Sequence, residues 1–475
     1  MLIEDEGLFP SLLYREGQDC AAGRGELEVE SGKSKIESER QNTGTENNYN
    51  KMNFEAHRDF AVKLDKEDPL RSFREQFIIP QHNGKEQVYF LGNSLGLQPK
   101  TARTQIDKVL GQWSDYGVEA FFLGDDPWMN YHDHLLKPLG KITGSLPTEI
   151  TVMNQLTVNL HLMMVSFYRP EGKRNKIICE AKAFPSDQYM FETHVRHHGL
   201  DPDQTIIEVK PKEGEHHISL DDILSTIEAH QDELALVLWG GVNYYTGQLF
   251  DMQAIAAAAK KAGAKVGFDL AHAAGNVPLQ LHDWNADFAC WCNYKYLNGG
   301  PGAVGAAFIH ERYHTDPSLQ RFAGWWGHEK STRFKMEKGF VPIASAEGWQ
   351  LSTPSPLLYA CLRASLDIFE SAGWENIQDK KDKLNAWLWF LLDELNRQQN
   401  GQVLECITPR QEKGCQVSLH MLEKGREIFE KLTTTGIITD WREPNVIRLA
   451  PVPLYNSYED VWQFYTTIRD ILVQP

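Results

Sequence analysis

The sequence predicts an α/β protein built on a mostly parallel sheet, with a smaller α+β region after it. Two observations lead there. Between about Ile150 and His310, short apolar runs alternate with helical patterns, the rhythm of strand–helix–strand units. Beyond Pro356 that rhythm stops, and long helical patterns with two isolated strands take over.

The elements follow in order. Lys176 to Cys179 reads as a strand, then a turn at Phe184-Pro185-Ser186-Asp187, then a helix. Leu234 to Trp239 is a buried strand, Met252 to Ala262 an alanine-rich helix, and Lys265 to Asp269 the next strand. Phe288 to Cys292 and Val304 to Ile309 complete the series. Ligands are expected at the carboxyl ends of such strands. Further on, Leu357 to Ser371 and Trp374 to Gln398 are helical, and Cys415 to His420 and Asn445 to Leu449 are strands. The expected organisation is a disordered extension over 1–51, a segment 52–110 contributing to the small domain, a large α/β domain over 111–350 and a small domain over 351–475. Gly23 to Asn50 is rich in Glu, Ser, Lys, Asn and Thr and too poor in apolar groups to offset the entropy of ordering. A regulatory or targeting tail is the competing reading, and Met52 is a candidate start.

Net charge is 48 − 65 = −17, which argues against nucleic acid or an anionic membrane as the main partner. The seven cysteines are scattered with no zinc-ligand spacing, so free thiols in a reducing compartment, the cytosol, are expected. No apolar run reaches the roughly 20 residues of a membrane span, and no metal is expected.

The chemistry starts with Asp269 and Lys295. Asp269 ends an apolar strand, which puts a carboxylate at the carboxyl edge of the sheet. Lys295 follows a second strand in Asn293-Tyr294-Lys295-Tyr296-Leu297, where aromatic and apolar neighbours desolvate the ammonium and favour attack on a carbonyl. Pyridoxal phosphate needs such a pair, a lysine for the imine and an acid for the pyridine nitrogen. Taken alone, Asp269 capping a turn and a surface Lys295 remain an ordinary alternative. His272 stands three residues after the acid, and Gly299-Gly300-Pro301-Gly302 allows a sharp turn after the lysine. Thr157 is the expected N-cap of a helix whose free amides suit a phosphate. Phe184 suits stacking on a flat ring.

Together these segments resemble the kynureninase family of fold-type I pyridoxal-phosphate enzymes. The resemblance runs from about Asp68 to the C-terminus. It rests on Tyr89-Phe90-Leu91-Gly92-Asn93-Ser94-Leu95-Gly96-Leu97, Leu156-Thr157-Val158-Asn159-Leu160-His161 and Ala181-Lys182-Ala183-Phe184-Pro185-Ser186-Asp187. Phe268-Asp269-Leu270-Ala271-His272, Tyr294-Lys295-Tyr296-Leu297-Asn298, Gly324-Trp325, Arg333-Phe334-Lys335-Met336 and Arg448 with Ala450-Pro451-Val452-Pro453 extend it. It implies the transferase-like fold with a mostly parallel sheet of the seven-stranded type, in a eukaryotic, fungal-like member. It implies a hydrolase that cleaves the Cβ–Cγ bond of kynurenine or 3-hydroxykynurenine, in tryptophan breakdown towards NAD, as a homodimer with shared active sites.

The resemblance also implies roles. Lys295 would carry the cofactor and act as base, Asp269 would pair with the ring nitrogen, and Tyr294 would relay a proton. Leu156, Thr157 and Tyr294 would hold the phosphate, Phe184 would stack on the ring, and Asp187 and His272 would lie beside it. Trp325 and Thr353 would reach the partner subunit's phosphate. Arg448, with Asn93, Ser94 and Val118, would bind substrate. Three positions depart from the family pattern. Gly240 stands where some relatives have serine, Val118 where animal relatives have histidine, and Thr353 where they have asparagine. Two rivals are a cysteine desulfurase-like lyase, with Cys406 or Cys415 as candidate thiols, and an inactive scaffold on the same fold.

Overall fold

Seven strands form the main sheet of the protein, known from a computed structural model that describes residues 53–399 and 402–473. The expectations for 1–51 and Met52 lie outside these residues. The strands are β1 (Ile150–Val152), β2 (Lys176–Glu180), β3 (Ile206–Val209), β4 (Leu234–Gly240), β5 (Lys265–Asp269), β6 (Phe288–Cys292) and β7 (Gly305–Ile309). Their order across the sheet is β1-β7-β6-β5-β4-β2-β3. Only β7 runs against its neighbours, so the expected mostly parallel sheet is what forms.

Why these runs are almost wholly apolar follows from the layering. A strand shows alternate side chains to opposite faces, and this sheet is covered on both. Val237 and Trp239 of β4, Val266 and Phe268 of β5, and Ala289 and Trp291 of β6 enter one core. Leu236, Leu238, Phe288 and Cys290 enter the other. Two strands, β1 and β3, were not expected. At three and four residues they are too short to show a period.

A second sheet is antiparallel, with β8 (Leu404–Cys406), β9 (Val417–Met421), β10 (Asp440–Arg442) and β11 (Val446–Leu449) in the order β8-β9-β11-β10. Its core holds Leu384, Leu388 and Leu391 of the helix Trp374–Gln398, Phe464 of the helix Tyr458–Val473, and Ala61, Leu64 and Phe90 from the N-terminal side. Helix Pro356–Ala372 instead gives Tyr359, Leu362 and Leu366 to the core of the large sheet, as helix Ala102–Tyr116 gives Val109. Packing therefore changes over between Ile377 and Leu384.

Candidate active site

The carboxyl ends of β2, β4, β5 and β6 meet at one cavity of about 480 Å³. Its walls include Asn93, Ser94, Leu156, Thr157, Phe184, Asp187, Asp269, His272, Tyr294, Lys295 and Arg448. Eleven of the fourteen residues singled out from sequence as catalytic, cofactor-binding or substrate-binding are thus brought together. Val118, Trp325 and Thr353 are not. Val118 is 77% exposed, Trp325 43% exposed, and Thr353 is exposed too.

Each side chain arrives by a local device. Asp269 is the last residue of β5, flanked by Gly240 of β4 and Cys290 of β6. One of its oxygens accepts from the Ala271 amide at 2.8 Å, which fixes the carboxylate against the turn. Lys295 follows β6, its ammonium 6.0 Å from the centre of the Tyr294 ring. Gly96 locks the Asn93–Ser94 segment onto that loop. Its amide donates to the Tyr294 carbonyl at 2.8 Å, and a Cβ there would lie 2.4 Å from the Lys295 carbonyl oxygen, so only glycine fits.

At the helix Leu156–Phe167 the expectation of Thr157 as N-cap is corrected. Gln155 holds the cap position and its side chain makes no capping bond. Asn154, with φ of 48°, makes the left-handed turn that asparagine tolerates, and spends its amide on Asn159. Thr157 lies within the first helical turn, and the uncapped amides there face the demand an anion can meet.

Charge is managed by burial. Burial first, and then the neighbouring Asp269 charge, push the Asp187 carboxyl well above the usual range, because carboxylates this close resist ionising together. Burial, with Lys295, Arg448 and Arg442 nearby, holds His272 well below the ordinary histidine value, so its ring is neutral. Its Nδ1 is buried without a hydrogen-bond partner. Burial also raises the Tyr294 hydroxyl, which keeps its proton. Phe184 is braced edge-on by Tyr244, ring centres 5.4 Å apart.

Arg448, 2% exposed on β11, stands opposite Asp440 of β10. Its Nε donates to Asp440 Oδ2 at 2.8 Å, Nη2 reaches the same oxygen, and Nη1 reaches the Tyr244 carbonyl. A guanidinium has five N–H groups, so two remain for a ligand. Arg442 also donates to Asp440 Oδ2, at 3.1 Å, and lines the cavity. Sequence reading missed it, since the pairing depends on cross-strand register.

Glu180 was missed as well, although it ends β2 just as Asp269 ends β5. It is 5% exposed, accepts from Asn243 Nδ2 at 2.8 Å, and burial pushes its carboxyl up to about 7. Gly240 is what admits it, because a Cβ on Gly240 would lie 2.4 Å from Glu180 Oε1. Glu180 thus occupies the space that a side chain at position 240 would take.

These residues fit pyridoxal phosphate: a strand-end acid, a lysine, an uncapped helix start, an unpaired histidine nitrogen and a flat aromatic wall surround one cavity. They fit a persulfide-forming lyase poorly. Cys415 is buried and Cys406 half-buried, desolvation pushes both thiols up to about 12, and neither lines the cavity.

Comparison with known proteins agrees with this geometry. Residues 377–468 match the family described as Kynureninase C-terminal domain. A kynureninase of Flavobacterium psychrophilum is 55% identical over 415 residues, covering 87% of this chain and 97% of the relative. One of Stenotrophomonas maltophilia is 52% identical over 417 residues, with the same coverage. These relatives are bacterial and give no support to the expectation of a fungal-like member. Among solved structures, a mutant of C-DES with glycine covalently linked to its PLP cofactor has a TM-score of 0.68 at 18% identity, covering 81% of this chain and 96% of that one. A cysteine desulfurase of Thermococcus onnurineus has a TM-score of 0.65 at 19% identity, covering 86% and 98%. At such identity the likeness is one of fold.

Proposed function

The chain belongs to the kynureninase family, and from that premise we propose how the strand-edge cavity carries the activity. The activity itself is that of a kynureninase, a pyridoxal-phosphate-dependent hydrolase that cleaves a carbon–carbon bond of kynurenine. It belongs to tryptophan breakdown towards NAD. The observation that carries the assignment of residues is the meeting of Asp269, Lys295, the uncapped helix start and Arg448 at one cavity.

When bound, pyridoxal phosphate supplies the electron sink for carbanion chemistry. The amides of Leu156 and Thr157, with the Tyr294 hydroxyl, would hold its phosphate. Asp269 would keep the proton on the ring nitrogen, and Asp187, retaining its own proton, would add no second anion beside it. His272 is neutral and adds no competing charge. Phe184 would cover one face of the ring. Arg448 offers its two uncommitted N–H groups to the substrate α-carboxylate, with Asp440 holding the guanidinium still. Asn93, whose Nδ2 is bound to Gln416 at 2.9 Å, and Ser94 line the substrate side. Lys295 Nζ takes the α-proton and returns it. Water adds at the γ-carbonyl, the Cβ–Cγ bond breaks, and Tyr294 relays a proton to the β-carbon to complete alanine. The other product is anthranilate, or 3-hydroxyanthranilate from the hydroxylated substrate.

Val118, Trp325 and Thr353 serve the cavity of a second copy. The surface that carries the first two supports a homodimer: Trp113, Val118, Phe122, Phe322, Trp325 and Phe334 are all exposed. Phe334 packs on both Phe122 and Trp325, with ring centres 5.9 and 5.5 Å apart, so the two segments make one apolar face, the kind a partner covers. No described helix is long and apolar enough to cross a membrane. Six described cysteines are unpaired, which supports a cytoplasmic location.

The test is an assay of the cofactor-loaded protein with kynurenine and 3-hydroxykynurenine side by side. Alanine and the matching aminobenzoate should appear in equal amounts. Sulfide release from cysteine without either product would overturn the reading.

A further inference from the structure

We propose that His216, Glu405 and His420 form a binding site for a divalent transition cation of the zinc class, apart from the catalytic cavity. Three segments contribute. His216 comes from the loop between β3 and the helix Leu220–Ala229. Glu405 is on β8 and His420 on β9, directly opposite each other in the sheet, where side chains share a face.

The separations are long for hydrogen bonds and short enough for one cation to reach all three groups. His216 Nε2 lies 3.7 Å and His420 Nδ1 3.5 Å from the same oxygen, Glu405 Oε2. All three ligand atoms lie within 4.8 Å of one another. Such distances are long for an N–H···O bond. They are close to the roughly 3.3 Å edge of a tetrahedron drawn around zinc with bonds of about 2.0–2.1 Å. His420 Nδ1 is moreover buried with no hydrogen-bond partner, a cost a cation would remove. Two imidazoles and a carboxylate are a donor set zinc accepts, with a fourth position left for water. The chain's charge of −17 favours a cation over an anion.

Two other clusters of histidine and carboxylate show what a committed cluster looks like. In Glu149–His282–His310, the Glu149 carboxylate accepts from the Leu146 amide at 3.0 Å, the Glu311 amide at 2.9 Å and His282 at 2.9 Å. In His132–Asp133–Glu347, the Glu347 carboxylate already pairs with Lys330 at 3.0 Å and with His132. Their acceptors are used by the protein itself.

A cation at His216–Glu405–His420 would tie the loop before Leu220 to the β8–β9 pair. That loop is anchored to the large body through Gln248, which bonds both the amide and the carbonyl of Ile218. Strand β9 is the neighbour of β11, which carries Arg448. The cation is therefore a staple between the layer that holds the cofactor lysine and the layer that holds the substrate arginine.

The experiment is calorimetric titration of zinc chloride into chelator-treated, cofactor-loaded protein at about pH 7.5, where an ordinary histidine is neutral. One cation per chain should bind beyond any bound by the His216→Ala/His420→Ala double variant. His420→Ala alone should weaken that binding at least about tenfold, and His282→Ala should leave it unchanged. Zinc should raise the melting temperature of the parent protein and not of the double variant. Cobalt(II), followed by its visible absorption, gives a second readout on Glu405→Gln, which keeps the shape and loses the anionic ligand. Equal zinc stoichiometry and affinity in parent and double variant, or an unchanged cobalt spectrum in Glu405→Gln, would overturn the proposal.

Discussion

The carboxyl edge of the large sheet and the apolar face around Val118 and Trp325 belong to one proposed active site, yet they are built in opposite ways. At the edge, Glu180, Asp187 and Arg448 are buried and Asp269 is half-buried, and the contacts that fix them lie within the chain. At the face, Trp113, Val118, Phe122 and Trp325 stand exposed. Acid–base chemistry needs fixed charges in a dry setting, and one chain supplies that alone. In the proposed homodimer, substrate fit at the aromatic end would be left to a surface that a second copy completes.

The largest effect expected from breaking this comparison is at the edge. Lys295→Ala should remove the cofactor's absorbance band and lower turnover by at least about a thousandfold, since the lysine serves as both anchor and base. A variant that kept a large share of parental turnover would show the lysine misassigned. Next comes a test of the face. Lys295→Ala and Trp325→Ala proteins, each nearly inactive, should recover roughly a quarter of parental activity when unfolded and refolded together, because half the dimers would then hold one intact site. No recovery would place Trp325 in its own chain's cavity.

Arg448→Lys keeps the charge and loses the planar fork. KM should rise by roughly ten- to a hundredfold, or about 1–3 kcal/mol, with a smaller change in kcat. An unchanged KM would remove Arg448 from substrate binding. Glu180 gives a pH signature. In the folded chain its carboxyl holds its proton up to about 7 rather than 4.5. Ionising it therefore costs stability as pH rises through that window, and the full cost is present above about 7. Cofactor-free Glu180→Gln should match the parent near pH 4.5 and exceed it at pH 8 by the order of 1–3 kcal/mol. Parallel melting curves across pH would contradict this. The smallest effect concerns substrate choice. Val118→His with Thr353→Asn should shift the ratio of kcat/KM values a few-fold towards 3-hydroxykynurenine, within the limited discrimination of an apolar wall. An unmoved ratio would place the determinant elsewhere.

What was legible in the sequence was what is local. A carboxylate ending an apolar strand and a lysine just after another are visible as patterns of a few residues, and the parallel sheet follows from the strand–helix rhythm. Glu180 obeys the same rule as Asp269 and was open to the same reading. The Asp440 link between Arg442 and Arg448 was not, because it depends on which residue of β10 faces which of β11. The reversed direction of β7 was equally hidden, since a strand's apolar pattern is the same read either way. At the helix start the reading chose Thr157 for its side chain, whereas left-handed Asn154 sets the boundary.

Gly240 and Glu180 also bear on how the cavity can change over evolutionary time. Adding a serine at position 240 while Glu180 stays would press a carbon against Glu180 Oε1, while Asn243 holds the other oxygen, Oε2. Replacing Glu180 first would leave Asn243 without its acceptor. What stands at one of the two positions therefore limits what the other admits. A serine at position 240 calls for an accommodating change at position 180.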